Sequence, residues 1–217
     1  MATDAASKTG PKVTIEPMDF RPSREGEPVY ELAEKLFPRQ GQWTPNAYFL
    51  LQIERGVELV DGCLEFLPMP SEVHQAIMIF FLDMLRQLLG SQGKVMVAGL
   101  RVNTRDNNFR EPDVLALLDK DSPKRANKAW SGADIAIEIV SEGGEERDYE
   151  KKRIEYAAAG IAEYWIVDPQ KKQILVLSLD GEQYQEVGTF TDQQDAAGVL
   201  IDGLSVKPAD VWAAAEI

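Results

Sequence analysis

Two short apolar stretches decide the fold of this chain: residues 111–119 read EPDVLALLD, and residues 133–141 read ADIAIEIVS. In both stretches apolar residues occupy both alternating faces, a pattern that is typical of strands buried on both sides of a sheet. Each stretch nevertheless carries an acid, Asp113 near the start of the first and Glu138 in the second. The chain therefore places two carboxylates where an unpaired charge is costly.

These two carboxylates predict a metal site. If the strands are neighbours, Asp113 and Glu138 repel each other, and a divalent cation between them offsets both the desolvation and the repulsion. Oxygen ligands favour Mg²⁺ or Mn²⁺. Two other interpretations remain open from the residues alone. Asp113, which follows Pro112, can be a wetted residue at a strand start, and Glu138 can be paired with an arginine.

Residues 145–160, EERDYEKKRIEYAAAG, predict a helix that ends at a glycine. Spacings of three and four residues place one set on a single stripe: Tyr149, Lys152, Tyr156 and Ala159. Lys152 then faces inward, where it can orient the attacking water or stabilise the charge developing on a phosphate, although a snorkelling lysine fits the same pattern. Ile154 falls off the stripe, and Lys151 is expected to pair with Glu155.

The remaining segments predict an α/β fold with a mixed central β-sheet flanked by helices, preceded by a helix and a hairpin. Further helices are predicted at 44–54 and 71–90, strands or hairpins at 56–68, 94–104, 163–169 and 173–190, and a short strand and helix at the C-terminal end. Thr44 and Ser71 are the predicted N-caps of the two helices, and Asp61 with Gly62 forms the turn of the first hairpin.

Length and composition favour one domain of residues 28–217 behind a loosely ordered arm of residues 1–27, in a chain of 217 residues. No apolar leader or membrane-spanning segment is evident, so a cytoplasmic protein with no membrane partner is expected. Cys63 is the only cysteine, which excludes an internal disulfide and a thiolate zinc site.

Charge and hydropathy bear on partners. A net charge of −13 argues against general binding of polyanions. Six basic residues have two open interpretations, because they can form a local basic cleft or a solvated charged face. These residues are Arg101, Arg105, Arg110, Lys124, Arg125 and Lys128. The helix at 71–90 is apolar on more than one face, so we expect the sheet and a second subunit of a homodimer to cover it.

Several motifs together resemble one known family. They are ELVDGCL, the HQ that opens the long helix, EPDVLAL, IAIEIVS, RDYEKKRIEYAAAGIAEYWIVDP and the terminal LSV. From Thr44 onward the chain resembles the Uma family of endonucleases within the PD-(D/E)XK superfamily, which has a restriction-endonuclease-like fold. The resemblance implies a metal-dependent phosphodiesterase in which Asp113 and Glu138 bind Mg²⁺.

One position departs from the superfamily pattern, because Val140 stands where a lysine is usual. The resemblance implies that Lys152 supplies this lysine from the following helix. It also marks further candidate positions: Glu58, His74 and Tyr156. For Glu58 the competing interpretation is a strand-edge acid that faces water, and for His74 it is an ordinary wet residue at a helix start.

The leading hypothesis is a metal-dependent endonuclease acting on DNA, in which Asp113 and Glu138 hold Mg²⁺ or Mn²⁺ and Lys152 assists. One alternative is a catalytically silent protein of the same fold that serves as a dimeric binding or regulatory module. Another is a hydrolase acting on a nonpolymeric phosphate, which would ease the conflict with the acidic surface.

Overall fold

The computed structural model describes residues 33, 36–51, 53, 55–105, 107–192 and 194–216. The chain divides into two units after Pro38, and the larger one, residues 39–217, is compact. The arm predicted for residues 1–27 and its boundary at residue 28 lie outside the described residues. No helix within the described part of the chain is long and apolar enough to span a bilayer.

The larger unit contains four α-helices, one π-helical turn and thirteen strands within its described residues. In chain order they are α1 (Pro45–Leu50), β1 (Val57–Val60), β2 (Cys63–Phe66), α2 (Glu72–Leu89), β3 (Lys94–Val97), β4 (Arg101–Arg105), β5 (Asn108–Arg110), β6 (Val114–Leu117), β7 (Ala129–Trp130), β8 (Ile135–Ile139), the π-turn (Arg147–Lys151), α3 (Lys152–Ala158), β9 (Glu163–Asp168), β10 (Gln173–Asp180), β11 (Gln183–Phe190), β12 (Ala196–Ala197), β13 (Ser205–Val206) and α4 (Pro208–Ala214).

The strands form a mixed six-stranded sheet in the order β11-β10-β9-β8-β6-β3, a five-stranded sheet in the order β2-β1-β5-β4-β7, and the short pair β12-β13. In the six-stranded sheet β8 and β9 are parallel, and the other neighbours are antiparallel. The predicted mixed α/β architecture is confirmed. Its hairpin, however, belongs to a second sheet that the sequence did not indicate.

The central strands β6, β8 and β9 of the six-stranded sheet are buried on both faces, as their apolar sequences predict. Ile135, Ile137 and Ile139 of β8 pack in the same core as the buried face of α2. Ala136 and Val140 belong to the core on the opposite side, which includes residues of α3. Glu138 lies on that second face, so α3 runs over its side chain.

Local signals in the sequence fix the element ends. The Thr44 side chain accepts a hydrogen bond from the backbone of Ala47 (3.3 Å), and the Ser71 side chain accepts one from His74 (3.2 Å). Asp61 and Gly62 both have positive φ, as a tight hairpin turn requires. The first helix is shorter than predicted, because the backbone becomes extended directly after Leu50.

Helix α2 is partly covered without a second subunit. Ile77, Phe81 and Leu85 are buried, and residues of α4 share their core. Two apolar side chains of the helix remain exposed, Ile79 at 51% and Leu88 at 39%. The predicted homodimer stays a prediction.

Candidate functional site

The two acids that interrupt the buried strands lie side by side. Strands β6 and β8 pair antiparallel with Val114 opposite Ile137, and the same register continued by one residue puts Asp113 opposite Glu138. The Asp113 Oδ2 atom accepts a hydrogen bond from the backbone N–H of Ile139 (2.7 Å). Like charges directly opposite each other are destabilising, so this pair calls for a cation.

Lys152 supplies a cation at this point. Its Nζ atom lies 2.8 Å from Glu138 Oε2, 3.4 Å from Asp148 Oδ1 and 3.7 Å from Glu58 Oε1, and the residue is 1% exposed. Burial by itself lowers the pKa of Lys152, but these three carboxylates outweigh it and raise the pKa. The ammonium therefore stays charged inside the protein, as the predicted inward position of Lys152 requires.

The π-turn at Arg147–Lys151 leads the chain into α3 over the site. A π-turn widens the helix by one residue and is frequent at functional sites. Two tyrosine hydroxyls fix it: Tyr164 donates to the carbonyl of Asp148 (2.8 Å), and Tyr149 donates to Asp168 Oδ2 (3.0 Å). Asp148 is thereby buried beside the lysine one turn later, with Oδ2 lacking a hydrogen-bond partner among the described residues.

The helical stripe is confirmed at its centre, with one correction. Tyr156 is fully buried, its hydroxyl donates to Glu138 Oε1, and Ile154 points outward at 72% exposure. The predicted pair of Lys151 with Glu155 is wrong. Lys151 lies 3.1 Å from the carboxylate of Glu146 instead. Glu155 turns inward to a buried arginine that local helix spacing cannot reveal.

That arginine is Arg110, which is completely buried and joins three elements. It makes two hydrogen bonds to Glu155 (2.7 and 2.8 Å), one to Glu58 Oε2 (2.7 Å) and one to Glu65 Oε2 (2.7 Å). Glu58 is fully buried, so its interpretation as a strand-edge acid facing water is wrong. Its other oxygen accepts from the backbone of Glu111 (2.8 Å) and lies near the lysine of α3.

Asp113, Glu138 and Lys152 all line one cleft of about 1010 Å³. Most of the remaining wall is apolar and comes from the chain between β2 and α2, from the start of α2 and from the loops after β3, β8 and β9. Acidic side chains slightly outnumber basic ones on this wall: Glu111, Asp113, Glu138 and Glu142 against Arg55, Arg147 and Lys152. The cleft is therefore not a basic one.

The six basic residues that the sequence suggested for nucleic acid lie elsewhere. None of them lines this cleft as far as the described residues show, and four bind carboxylates: Arg101 with Glu111, Arg105 with Asp61, Arg110 with Glu58, and Lys124 with Asp134. Sequence alone hides such partners, because each acid lies on another element or loop. The predicted basic cleft is therefore corrected to a mixed one.

His74 also lines the cleft, from the first turn of α2. Its Nε2 atom lies 3.2 Å from Asp113 Oδ2. Its Nδ1 atom is buried and has no hydrogen-bond partner in the part of the chain that the structure describes. The histidine thus steadies the same oxygen of Asp113 that the Ile139 amide binds, which leaves Oδ1 for a ligand.

The donor set suits a hard divalent cation. Asp113 and Glu138 offer carboxylate oxygens from adjacent strand ends, and behind them the buried Oδ2 of Asp148 has no hydrogen-bond partner among the described residues. The described residues contain no cluster of three or more His, Cys, Asp or Glu side chains arranged to hold a metal. The two predicted ligands would therefore have to be completed by water and by substrate oxygens.

Burial and its acidic neighbours raise the pKa of Glu138 to about 8, because they outweigh the attraction of Lys152. A raised carboxyl pKa means that the folded state binds the proton more tightly than the unfolded state. Without metal, this group therefore costs stability as pH rises from its ordinary value of about 4.5 towards about 8.

Glu138→Gln cannot titrate, so we expect its free energy of unfolding to improve relative to the wild type between pH 5.5 and pH 8. Urea unfolding of both proteins in chelator measures this difference. A difference that stays constant with pH, or shifts against the variant, would contradict the raised pKa.

A family model described as "Uma2: Putative restriction endonuclease" matches residues 47–209. Among solved structures, a putative nuclease belonging to DUF820 from Anabaena variabilis is similar with a TM-score of 0.67 and 18% identity, covering 79% of this chain and 98% of that chain. At this identity the likeness shows the fold alone. No curated protein matches the chain.

Proposed function

Because the chain belongs to the Uma2 family, we propose that it is a metal-dependent endonuclease that hydrolyses phosphodiester bonds in DNA. The observation that carries this proposal is the convergence of Asp113, Glu138 and Lys152 on one cleft from two strand ends and a helix. Two carboxylates and an ammonium are the groups that metal-assisted phosphodiester hydrolysis uses.

In this proposal Asp113 and Glu138 hold Mg²⁺ or Mn²⁺. A divalent cation bound there would polarise a phosphoryl oxygen and lower the pKa of an attacking water. Asp113 is prepared for this task, since the Ile139 amide and His74 both lie against Oδ2. Glu138 must share or release Lys152 when the cation binds, because Oε2 is the oxygen that the ammonium contacts.

Lys152 then acts on the substrate. Two further carboxylates stabilise the charged form of its ammonium: Asp148 Oδ1 lies 3.4 Å and Glu58 Oε1 lies 3.7 Å from Nζ. An ammonium next to a phosphodiester in a mostly apolar cleft stabilises the negative charge that develops in the transition state. Tyr156 holds the second oxygen of Glu138 and so fixes the orientation of that carboxylate.

The acidic side chains of the cleft make the divalent cation important for binding the substrate as well as for the reaction. A phosphate backbone entering the cleft meets the acidic side chains of its described wall. We therefore expect nucleic acid to bind much more weakly in chelator than with a divalent cation, since the protein's own cations do not outweigh its acids.

Calorimetric titration of Mn²⁺ tests the proposed ligands. We expect the wild type to bind, and Asp113→Asn and Glu138→Gln each to bind at least about tenfold more weakly, since each loses one of two carboxylate ligands. Asp83→Asn and Glu182→Gln are matched controls, because both acids are exposed. Asp113→Asn should keep the fold or stabilise it without metal, since it relieves the repulsion between the two acids.

Wild-type protein that binds Mn²⁺ should then be assayed for cleavage of single- and double-stranded DNA and of RNA. Cleavage of RNA alone would overturn the assignment of DNA as substrate. Absence of Mn²⁺ binding by the wild type would overturn the nuclease proposal and favour the silent binding module.

A further inference from the structure

Three basic side chains among the described residues line the cleft, and they differ in the contacts that hold them. Lys152 is almost fully buried against Glu138. Arg55 uses Nε to bind the carbonyl of Leu67 (2.8 Å) in another part of the cleft wall. Arg147 lies at the start of the π-turn with 23% of its side chain exposed. Among these three cations, Arg147 is the one that is partly exposed and also contacts the carboxylate that lies beside Lys152.

Two contacts fix the guanidinium of Arg147. Nε lies 3.1 Å from Asp148 Oδ1, and Nη2 donates to the hydroxyl of Ser141 (3.3 Å). Ser141 lines the cleft, and Asp148 contacts Lys152, so both contacts hold the Arg147 side chain next to the site. These contacts leave Nη1 as the nitrogen available to a ligand.

The loop after β8 is shaped around this arginine. A Cβ atom at Gly144 would lie 2.9 Å from Arg147 Nη2 and 3.0 Å from both the carbonyl and the hydroxyl oxygen of Ser141. Any side chain at this position would require the end of the Arg147 side chain to shift away from its present place against Ser141. The absence of a side chain at Gly144 therefore lets the arginine approach Ser141.

Arg147 and Lys152 share Asp148. The same Oδ1 atom lies 3.1 Å from Arg147 Nε and 3.4 Å from Lys152 Nζ. The two cations are thereby held at a fixed spacing on the wall of the cleft that faces the strand-end acids. Burial lowers the pKa of Arg147, but Asp148 and the more distant Glu138 and Glu58 outweigh it, which agrees with this placement.

We propose that Arg147 is the residue that binds a nonbridging oxygen of the substrate phosphate, an inference that rests on the proposed nuclease function. A guanidinium presents several donors in a rigid plane and suits phosphate oxygens better than a lysine does. In a cleft where acids outnumber bases, an arginine with fixed direction selects a phosphodiester and positions it toward the two carboxylates and Lys152.

Fluorescence anisotropy of a short labelled DNA oligonucleotide in Ca²⁺ tests this role without requiring turnover. We expect Arg147→Gln to weaken binding about 10- to 100-fold, the factor for losing a charged hydrogen bond. Arg147→Lys should recover only part of the affinity. Arg153→Gln is the matched control, because Arg153 lies in α3, does not line the cleft and pairs with exposed Glu186.

Calorimetry with Mn²⁺ must give the same affinity for Arg147→Gln as for the wild type. The inference is overturned if Arg147→Gln weakens oligonucleotide binding no more than Arg153→Gln does, if it loses Mn²⁺ binding as well, or if the wild type binds no oligonucleotide.

Failure of the nuclease proposal looks different. A wild type that binds the oligonucleotide through Arg147 and never cleaves it would refute the enzyme and leave the phosphate site standing. Cleavage by the wild type with unchanged kinetics in Arg147→Gln would refute the phosphate site alone.

Discussion

Replacing Arg110 by methionine should destabilise the folded protein by about 3–5 kcal/mol, the usual cost of removing one partner of a buried ion pair. Arg110 has no exposed surface, and it neutralises Glu58 and Glu155, which are both buried. Methionine matches part of the volume but leaves these two carboxylates without their main cation. Urea unfolding at neutral pH measures the loss directly.

Arg105→Met provides the control. Arg105 also binds a carboxylate through two hydrogen bonds, but its partner Asp61 is 69% exposed, and such surface pairs contribute about 0–1 kcal/mol. Combining Arg110→Met with Glu155→Gln should recover part of the stability, because one of the unpaired charges is gone. A loss below about 1 kcal/mol for Arg110→Met would show that water or protonation compensates the acids.

Replacing Lys152 by glutamine should lower kcat about 10²- to 10³-fold, the range found when one group that stabilises transition-state charge is removed. Mn²⁺ binding should be kept or become tighter, since the ammonium no longer competes for Glu138 Oε2. Loss of turnover with retained Mn²⁺ binding would distinguish the proposed role of Lys152 in transition-state stabilisation from the proposed role of Asp113 and Glu138 as metal ligands. Asp113→Asn should lose both.

Lys151→Gln is the matched control for this experiment. Lys151 precedes the buried lysine by one residue, is more than half exposed and pairs with exposed Glu146. Its replacement should leave kcat within about twofold, as expected for a surface ion pair. Equal losses in the two variants, or loss of Mn²⁺ binding in Lys152→Gln, would contradict the assigned role.

The centre of the candidate site could be predicted from the sequence because its residues break regular patterns. Glu138 interrupts a buried strand, and Lys152 and Tyr156 lie four residues apart on the inward face of a helix. Periodicity was enough to predict the buried positions of these side chains. The family match covers residues 47–209 and agrees with the fold, while the roles of these residues remain proposals.

The surroundings of the site could not be predicted because they depend on pairing between distant segments. Arg110 stands among polar residues before Asp113 and looks like an exposed basic residue until β5 is paired with β1. The burial of Glu58, which rules out its interpretation as a water-facing strand-edge acid, depends on the same pairing. Asp148 carries a usable signal, since it lies four residues before Lys152, but its burial depends on the π-turn and on Tyr164.

The parallel pairing of β8 with β9 determines which segments of the chain can place a side chain on the face of the sheet that carries Glu138. Two parallel neighbours oblige the chain to leave one end of β8 and return to the opposite end of β9, so the connecting segment crosses the sheet face on which Glu138 and Val140 both lie. A lysine can therefore reach the same point in space from the strand or from the crossover. A sequence motif with fixed spacing misses chains whose lysine lies in the crossover segment. A search for two carboxylates and a lysine at the right distances in space detects both arrangements.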